Sequence, residues 1–240
     1  MRAGRQLARI MFTSLSILMW TAVGCVTTSH AACVDPLSVA RIHLKYRYEF
    51  KNGTEREMAM SDDGIRTPVW VGLREFFPGL TFYHFLTDFT AQNYALIVVF
   101  EDCGVMVIED SDAVGLLLRR SEPEISNRSD GEKFARLLVK MIHSSQVLGD
   151  GYRDGDGIIG SVDDIFFGSG SEREELEKTV KVSAPTLKLN GEEFSYHYFS
   201  WHGKTTLALS ENTLTWQRGG EFRYLRKVLK HDVGRPVTSK

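Results

Sequence analysis

Asp154, Asp156 and Asp163 are spaced as ligands for one hard cation. Calcium takes about 6–8 oxygens, and a curled loop whose alternate residues turn inward supplies them from a short stretch of chain. Within Tyr152–Asp163 the two nearer carboxylates fall at the third and fifth positions, Gly157 at the sharp sixth and Asp163 at the twelfth. The backbone carbonyl of Ile158 supplies the seventh-position oxygen in such a loop, and Ile159 the apolar eighth. The first position is Tyr152, which brings no carboxylate; Asp150 replaces it only if the loop is wider than usual. Gly149 and Gly151 interrupt any helix entering the loop, so a solvated Gly/Asp turn is the plain alternative.

This spacing resembles the calcium loop of EF-hand and dockerin-like modules. The resemblance covers 12 of 240 residues. It implies an ion site with Asp154, Asp156, Ile158 and Asp163 as ligands, and implies nothing about the fold.

A second chemistry lies in Phe194-Ser195-Tyr196-His197-Tyr198-Phe199-Ser200-Trp201, where both faces of one strand carry aromatics. An exposed row of Tyr196, Tyr198 and Trp201 stacks on sugars or anchors a protein, because aromatics give large contact area with little rotamer loss. In that case alanine at Tyr198 and Trp201 weakens capture and leaves the fold intact. The alternative is a strand buried between sheet and helix. His197 and His202 are five apart, which puts them on opposite faces of a strand and argues against a shared metal. If residues 82–93 are helical, His84 and Asp88 share a face, and an acid–base pair or a simple surface contact can be drawn for them.

The sequence contains no GxSxG, SxxK, HExxH or CxxC, and Gly168-Ser169-Gly170-Ser171 lacks the lysine of a phosphate loop. These absences weaken the case for hydrolases of familiar type and for thiol oxidoreductases.

The start of the chain sets the compartment. Arg2, Arg5 and Arg9 precede an uncharged, mostly apolar run from Ile10 to Val23, and small residues follow, the layout of a secretory signal over residues 1–31. The run is shorter than the ~20 residues of a membrane-spanning helix. Ser29 and Ala31 suit cleavage before Ala32. Ala22-Val23-Gly24-Cys25 instead suits lipidation at Cys25, although leucine usually stands where Ala22 does. The two outcomes are a free exported domain and a domain anchored by lipid alone.

Cys33 and Cys103 remain after either cut and, in an oxidising compartment, are expected to pair; two buried free thiols are the alternative. Without residues 1–31 the chain carries 26 basic against 31 acidic residues and no long cationic run, which removes the electrostatic footprint of a nucleic-acid binder.

These groups must be positioned by a mixed fold. Apolar residues alternate with polar ones from Ile42 to Phe50, which predicts a long strand; Asn52-Gly53 then reads as a hairpin turn, with Met58 and Met60 on the return strand. Thr67-Pro68 reads as the cap of a short helix with Leu73, Phe76 and Phe77, ended by Pro78-Gly79. Phe82, Phe85, Leu86 and Phe89 fit helix by spacing and strand by residue type. Tyr94–Phe100 and Val105–Ile108 read as buried strands. The clearest helix spans 130–148, with Ser129 and Glu132 as a capping box and Phe134, Leu137, Leu138, Met141 and Ile142 as its apolar stripe. Another helix runs from Ser171 through Leu176 to Val180.

After Pro185 a β-meander follows: Leu187 and Leu189, Asn190-Gly191, Phe194–Trp201, Thr205–Leu209, Thr213–Gln217, Gly219-Gly220, and Glu221–Leu229 as strand or helix. The expected fold is α+β, mainly antiparallel sheet with one clear helix and a C-terminal meander. It occupies one domain over 32–233, with 185–230 either part of it or a second lobe, and a loose tail at 234–240. The expected function is that of an exported bacterial envelope protein, periplasmic, secreted or lipid-anchored, that binds an envelope protein or glycan without catalysis. A calcium loop would brace it. The alternative is a calcium-assisted hydrolase acting on an envelope polymer.

Overall fold

Asp35 and Pro36 start a helix where alternation predicts a strand. In the computed structural model α1 spans Pro36–Tyr46, and the Asp35 carboxylate accepts a hydrogen bond from the Leu37 N–H at 3.2 Å. Proline suits the first helical position because its missing N–H has no partner there in any helix. The residues described are 33–62, 64–66, 72–88, 93–123, 125–143, 157–165, 169–191, 193–202, 208–231 and 233. The export signal, Cys25, Thr67-Pro68, Asp154, Asp156 and the tail lie outside them.

The misreading of 42–50 has a physical origin. Ala40 and Leu44 are fully buried, and Leu37 packs beside them, a helical stripe. Ile42 and Tyr46, which the strand reading placed on the dry face, are 59% and 68% exposed. Asn52 is likewise a cap and not a hairpin turn. Its Oδ1 accepts the Glu55 N–H at 2.8 Å, and Glu55 Oε2 accepts the Lys51 N–H at 2.6 Å, so two unpaired amides at the start of α2 (Gly53–Met60) are satisfied together. Met58 and Met60 are therefore helical.

The first sheet runs β1-β2-β3-β4, all antiparallel: Ile65–Arg66, Thr81–Asp88, Asn93–Val99 and Val105–Ile108. A short helix α3 (Leu73–Phe76) precedes β2, as expected. β3 is apolar without a break because both its faces are dry. Leu96 and Val98 face one core, Ala95, Ile97 and Val99 the other. The ambiguous segment from Phe82 belongs to strand β2, whose Phe82 and Phe85 point to opposite cores.

Helices α1 and α2 cover one face of this sheet, while α4 (Ser111–Ser121) and α5 (Arg128–His143) cover the other. α4 lies where the sequence reading assigns no element; Asp110 caps it by accepting the Ala113 N–H at 2.9 Å. α5 buries the predicted stripe of Phe134, Leu137, Leu138, Met141 and Ile142. Its start is held by Asn127, whose Oδ1 accepts the Asp130 N–H at 3.0 Å, in place of the Ser129–Glu132 box.

The second sheet is five-stranded: β5 (Ile158–Ile159), β7 (Glu193–His202), β8 (Ala208–Gln217) and β9 (Phe222–Lys230) in order, with β6 (Thr186–Asn190) also on β7. The C-terminal meander is thus present, with two refinements. Residues 208–217 form one strand in place of two short ones, and 222–230 is strand rather than helix. Gly191 turns β6 into β7 at φ +61°, a conformation glycine adopts without strain. Leu187, Phe194, Tyr196, Tyr198, Leu214 and Trp216 pack in the same core as Phe134 and Leu138 of α5. The fold is α+β, with α4 and α5 between two antiparallel sheets.

The far face of the second sheet is half covered. Helix α6 (Gly170–Thr179) brings Leu176 into a third cluster with Ile159, Ile165, Phe199, Leu209 and Val233. Cys33 and Cys103 stand at disulfide distance, 2.14 Å between sulfurs and 5.4 Å between Cα atoms. The pair joins the segment leading into α1 to the turn between β3 and β4.

Candidate functional site

Among the described residues, the half of the second sheet that α6 leaves uncovered is a polar surface built by strand register. Along β7 side chains alternate: Phe194, Tyr196 and Tyr198 enter the core, and Ser195, His197, Phe199 and Trp201 point away from it. Register then sets Thr215 and Arg223 beside Ser195, Thr213 and Leu225 beside His197, and Glu211 and Lys227 beside Phe199. β6 adds Thr186 and Lys188 on the other flank.

His197 Nε2 lies 2.9 Å from Glu211 Oε1 near the middle of this surface. The Phe199 ring meets the imidazole edge-on, with centroids 5.4 Å apart. The His197 and Glu211 side chains are about one-third exposed, 33% and 37%. Such a pair orients the imidazole and can meet a hydrogen-bonding group of a ligand. Acid–base catalysis also asks for a reacting group held within reach and for exclusion of water, and an open sheet face suits recognition better.

Behind that face lies a buried polar cluster. Tyr224 Oη donates to Asn212 Oδ1 at 2.9 Å, and Asn212 Nδ2 donates to Ser200 Oγ at 2.8 Å and to the Ser210 carbonyl at 3.2 Å. Arg226 Nε donates to Ser210 Oγ at 3.2 Å, and His143 Nε2 stands 3.3 Å from Tyr198 Oη. Burial pushes the Tyr198 phenol well above its ordinary value, and the nearby Tyr224 adds to the effect. Burial also raises Tyr224, while Arg226 opposes it. Both phenols stay neutral and serve as hydrogen-bond bridges. Sequence reasoning missed this cluster; its one local trace is that the inward positions of β8 run Ser210, Asn212, Leu214, Trp216, polar at one end.

The predicted aromatic row is corrected. Tyr196 and Tyr198 are 2% and 0% exposed, so neither stacks on a ligand. Trp201 is half-buried, and its Nε1 donates to the Val233 carbonyl at 2.8 Å. Strand alternation accounts for this: the even residues meet α5, and the odd residues at the far end meet the α6 cluster.

Of the proposed calcium ligands, Ile158 belongs to β5 and pairs with Ser200, and Asp163 sits in a 3-10 turn, Val162–Asp164. The Asp163 carboxylate is bound by the Arg173 guanidinium, which also reaches Glu177 at 2.8 Å. The adjacent Asp164 accepts the Gly160 and Ser161 N–H groups at 2.7 and 2.9 Å. Among the described residues no three His, Cys, Asp or Glu side chains gather as a metal site. His84 and Asp88 both lie on strand β2, ~13 Å apart along it at about 3.3 Å per residue, and not on a helix.

A cleft of about 230 Å³ opens between the chain entering α5 and the β6–β7 turn, lined by Ile125, Asn127, Leu189, Phe194, Trp216 and Arg218. It is smaller than the roughly 300–1,000 Å³ of ordinary ligand pockets. The chain matches no protein-family model, no curated protein and no solved structure.

Proposed function

We propose that this chain is an exported bacterial envelope protein that works as a non-enzymatic binding module, with the open face of its second sheet as the recognition platform. The observation that carries this reading is the half-covered sheet. One end is sealed by α6, whereas the partly exposed Ser195, His197, Thr213 and Thr215 and the exposed Leu225 form a contiguous face. Hydroxyls and a His–Glu pair on a rigid sheet suit a protein or glycan partner, since ordered strands hold contact groups more accurately than loops. The cysteine pair suits an oxidising compartment, in keeping with the N-terminal export pattern. Calcium, bound through Asp154, Asp156, Ile158 and Asp163, would brace the chain entering β5 without taking part in recognition.

The test uses a photoreactive amino acid at His197 or Leu225 in cells that export the protein, with the exposed Arg56 on α2 as the control position. Discrete adducts at the two sheet positions and none at Arg56 are expected. Equal labelling at all three positions, or adducts at Arg56 alone, defeats the proposal.

A further inference from the structure

We infer that β9 is an acceptor edge for an extended, acidic segment of a different polypeptide, which joins the second sheet as an added strand. This rests on the proposal that the second sheet is the recognition surface, and it specifies the partner.

β9 is the last strand of its sheet, and among the described residues it pairs only with β8. Alternate backbone N–H and C=O groups of an edge strand point away from the sheet, ready for another strand. The middle of β9 is open on both faces: Leu225, on the outer face, is 67% exposed, and Val228, on the inner face, 40%. Two apolar side chains of opposite direction, flanking an open backbone, match an extended peptide rather than a lipid surface or a flexible glycan, because only a strand answers backbone and both faces together.

Charge selects the kind of strand. Phe222–Lys230 contains Arg223, Arg226, Lys227 and Lys230 and no acid, within a chain of net charge −2. The outer two are answered near the strand ends, Arg223 by Glu221 at 2.6 Å and Lys230 by Glu175 at 2.7 Å. Arg226 and Lys227 occupy the exposed centre; Arg226 gives its Nε to Ser210, and Lys227 stands across from Glu211, which binds His197.

The same cations discourage a second copy from docking. In the antiparallel register of greatest overlap, Arg226 of one copy faces Arg226 of the other at the centre, while Lys227 faces Leu225. Like charges directly opposite destabilise a pairing, whereas acids at those places attract. The centre of the edge therefore repels a second copy and attracts an acid of another strand.

The test pans a random nonapeptide display library against the mature chain and against Lys227→Glu and Lys227→Gln variants whose melting temperatures match the wild type. We expect enrichment of peptides with acids alternating with apolar residues. Their binding should weaken about tenfold on charge reversal and less on neutralisation. Methylation of the peptide's alternate backbone nitrogens on the side facing β9 should abolish binding. Enrichment of neutral or basic peptides, no enrichment over Lys227→Glu, or tight binding by the methylated peptide each overturns the inference. Crosslinks from His197 or Leu225 in cells, with no acidic peptide selected, would defeat the edge-strand assignment alone. Their absence as well would defeat the binding-module proposal itself.

Discussion

His143 Nε2 and Tyr198 Oη meet at 3.3 Å where the end of α5 reaches the middle of β7, both side chains buried. The contact ties the central helix to the second sheet as part of the buried polar cluster around Asn212. Removing one partner of a buried hydrogen bond leaves the other unsatisfied, at a cost of about 1–3 kcal/mol. Tyr198→Phe should therefore lower the melting temperature by about 2–12 °C, at roughly 2–4 °C per kcal/mol for this size. Tyr198→Ala also opens a cavity and should destabilise by about 3–5 kcal/mol. A thermal melt of Tyr198→Ala within about 2 °C of the wild type would contradict its place in the core. Loss of capture in that variant therefore reports unfolding before it reports binding.

Stability should fall between neutral and mildly acidic pH because of His84. Burial in β2 depresses its pKa from 6.5 to about 4. Between those values the unfolded chain binds the proton and the folded chain does not. The contribution is therefore complete above pH 6.5 and is lost as pH falls toward 4. The loss between pH 7 and 5 is about 2 kcal/mol. His43, lowered by burial and by Arg47, acts in the same direction. Urea unfolding at pH 7, 6 and 5 should show the slope, and His84→Asn should flatten most of it. An unchanged slope in that variant would assign the pH response elsewhere.

The elements legible in the sequence are those whose burial pattern is local. The unbroken run of β3 follows from two dry faces, and the stripe of Phe134 to Ile142 from one. The segment 42–50 misleads because a short alternation also fits a helix whose buried residues, Ala40 and Leu44, are four apart. Asn52-Gly53 is ambiguous for a related reason: asparagine caps helices and turns hairpins with the same side-chain oxygen, and Glu55, three residues on, decides for the cap. The candidate site was illegible because no stretch of chain contains it. His197 and Glu211 are 14 residues apart, and His143 and Tyr198 are 55 apart; only the register of β7 with β8 and the docking of α5 bring them together.

The cysteine pair should be one of the larger single contributions to stability. It closes a segment of 70 residues, and chain-entropy bookkeeping for such a loop gives roughly 4 kcal/mol. Reduction, or Cys33→Ser with Cys103→Ser, should lower the melting temperature by on the order of 10 °C. Intact-mass analysis after thiol alkylation under denaturing, non-reducing conditions should show neither cysteine labelled. Labelling of both in protein recovered from the envelope would place them as free thiols.

The ion loop can be tested through the arginine that competes for it. Asp163 is already bound by Arg173, so a calcium ion using that carboxylate must displace a guanidinium. Asp163 is largely exposed and Arg173 about half exposed, which makes the exchange feasible. Arg173→Gln should therefore enlarge the stabilisation produced by millimolar calcium, and Asp156→Ala should abolish it in either background. Calcium at ~100 times its dissociation constant contributes about 2.7 kcal/mol, a rise in melting temperature of roughly 5–10 °C at this size. Magnesium should give a smaller shift, because its tight octahedral shell fits a loop of carboxylates and one carbonyl poorly. Identical melting curves with calcium and with chelator, in wild type and Arg173→Gln alike, would make residues 152–163 a polar turn and Asp163 a partner of Arg173 alone.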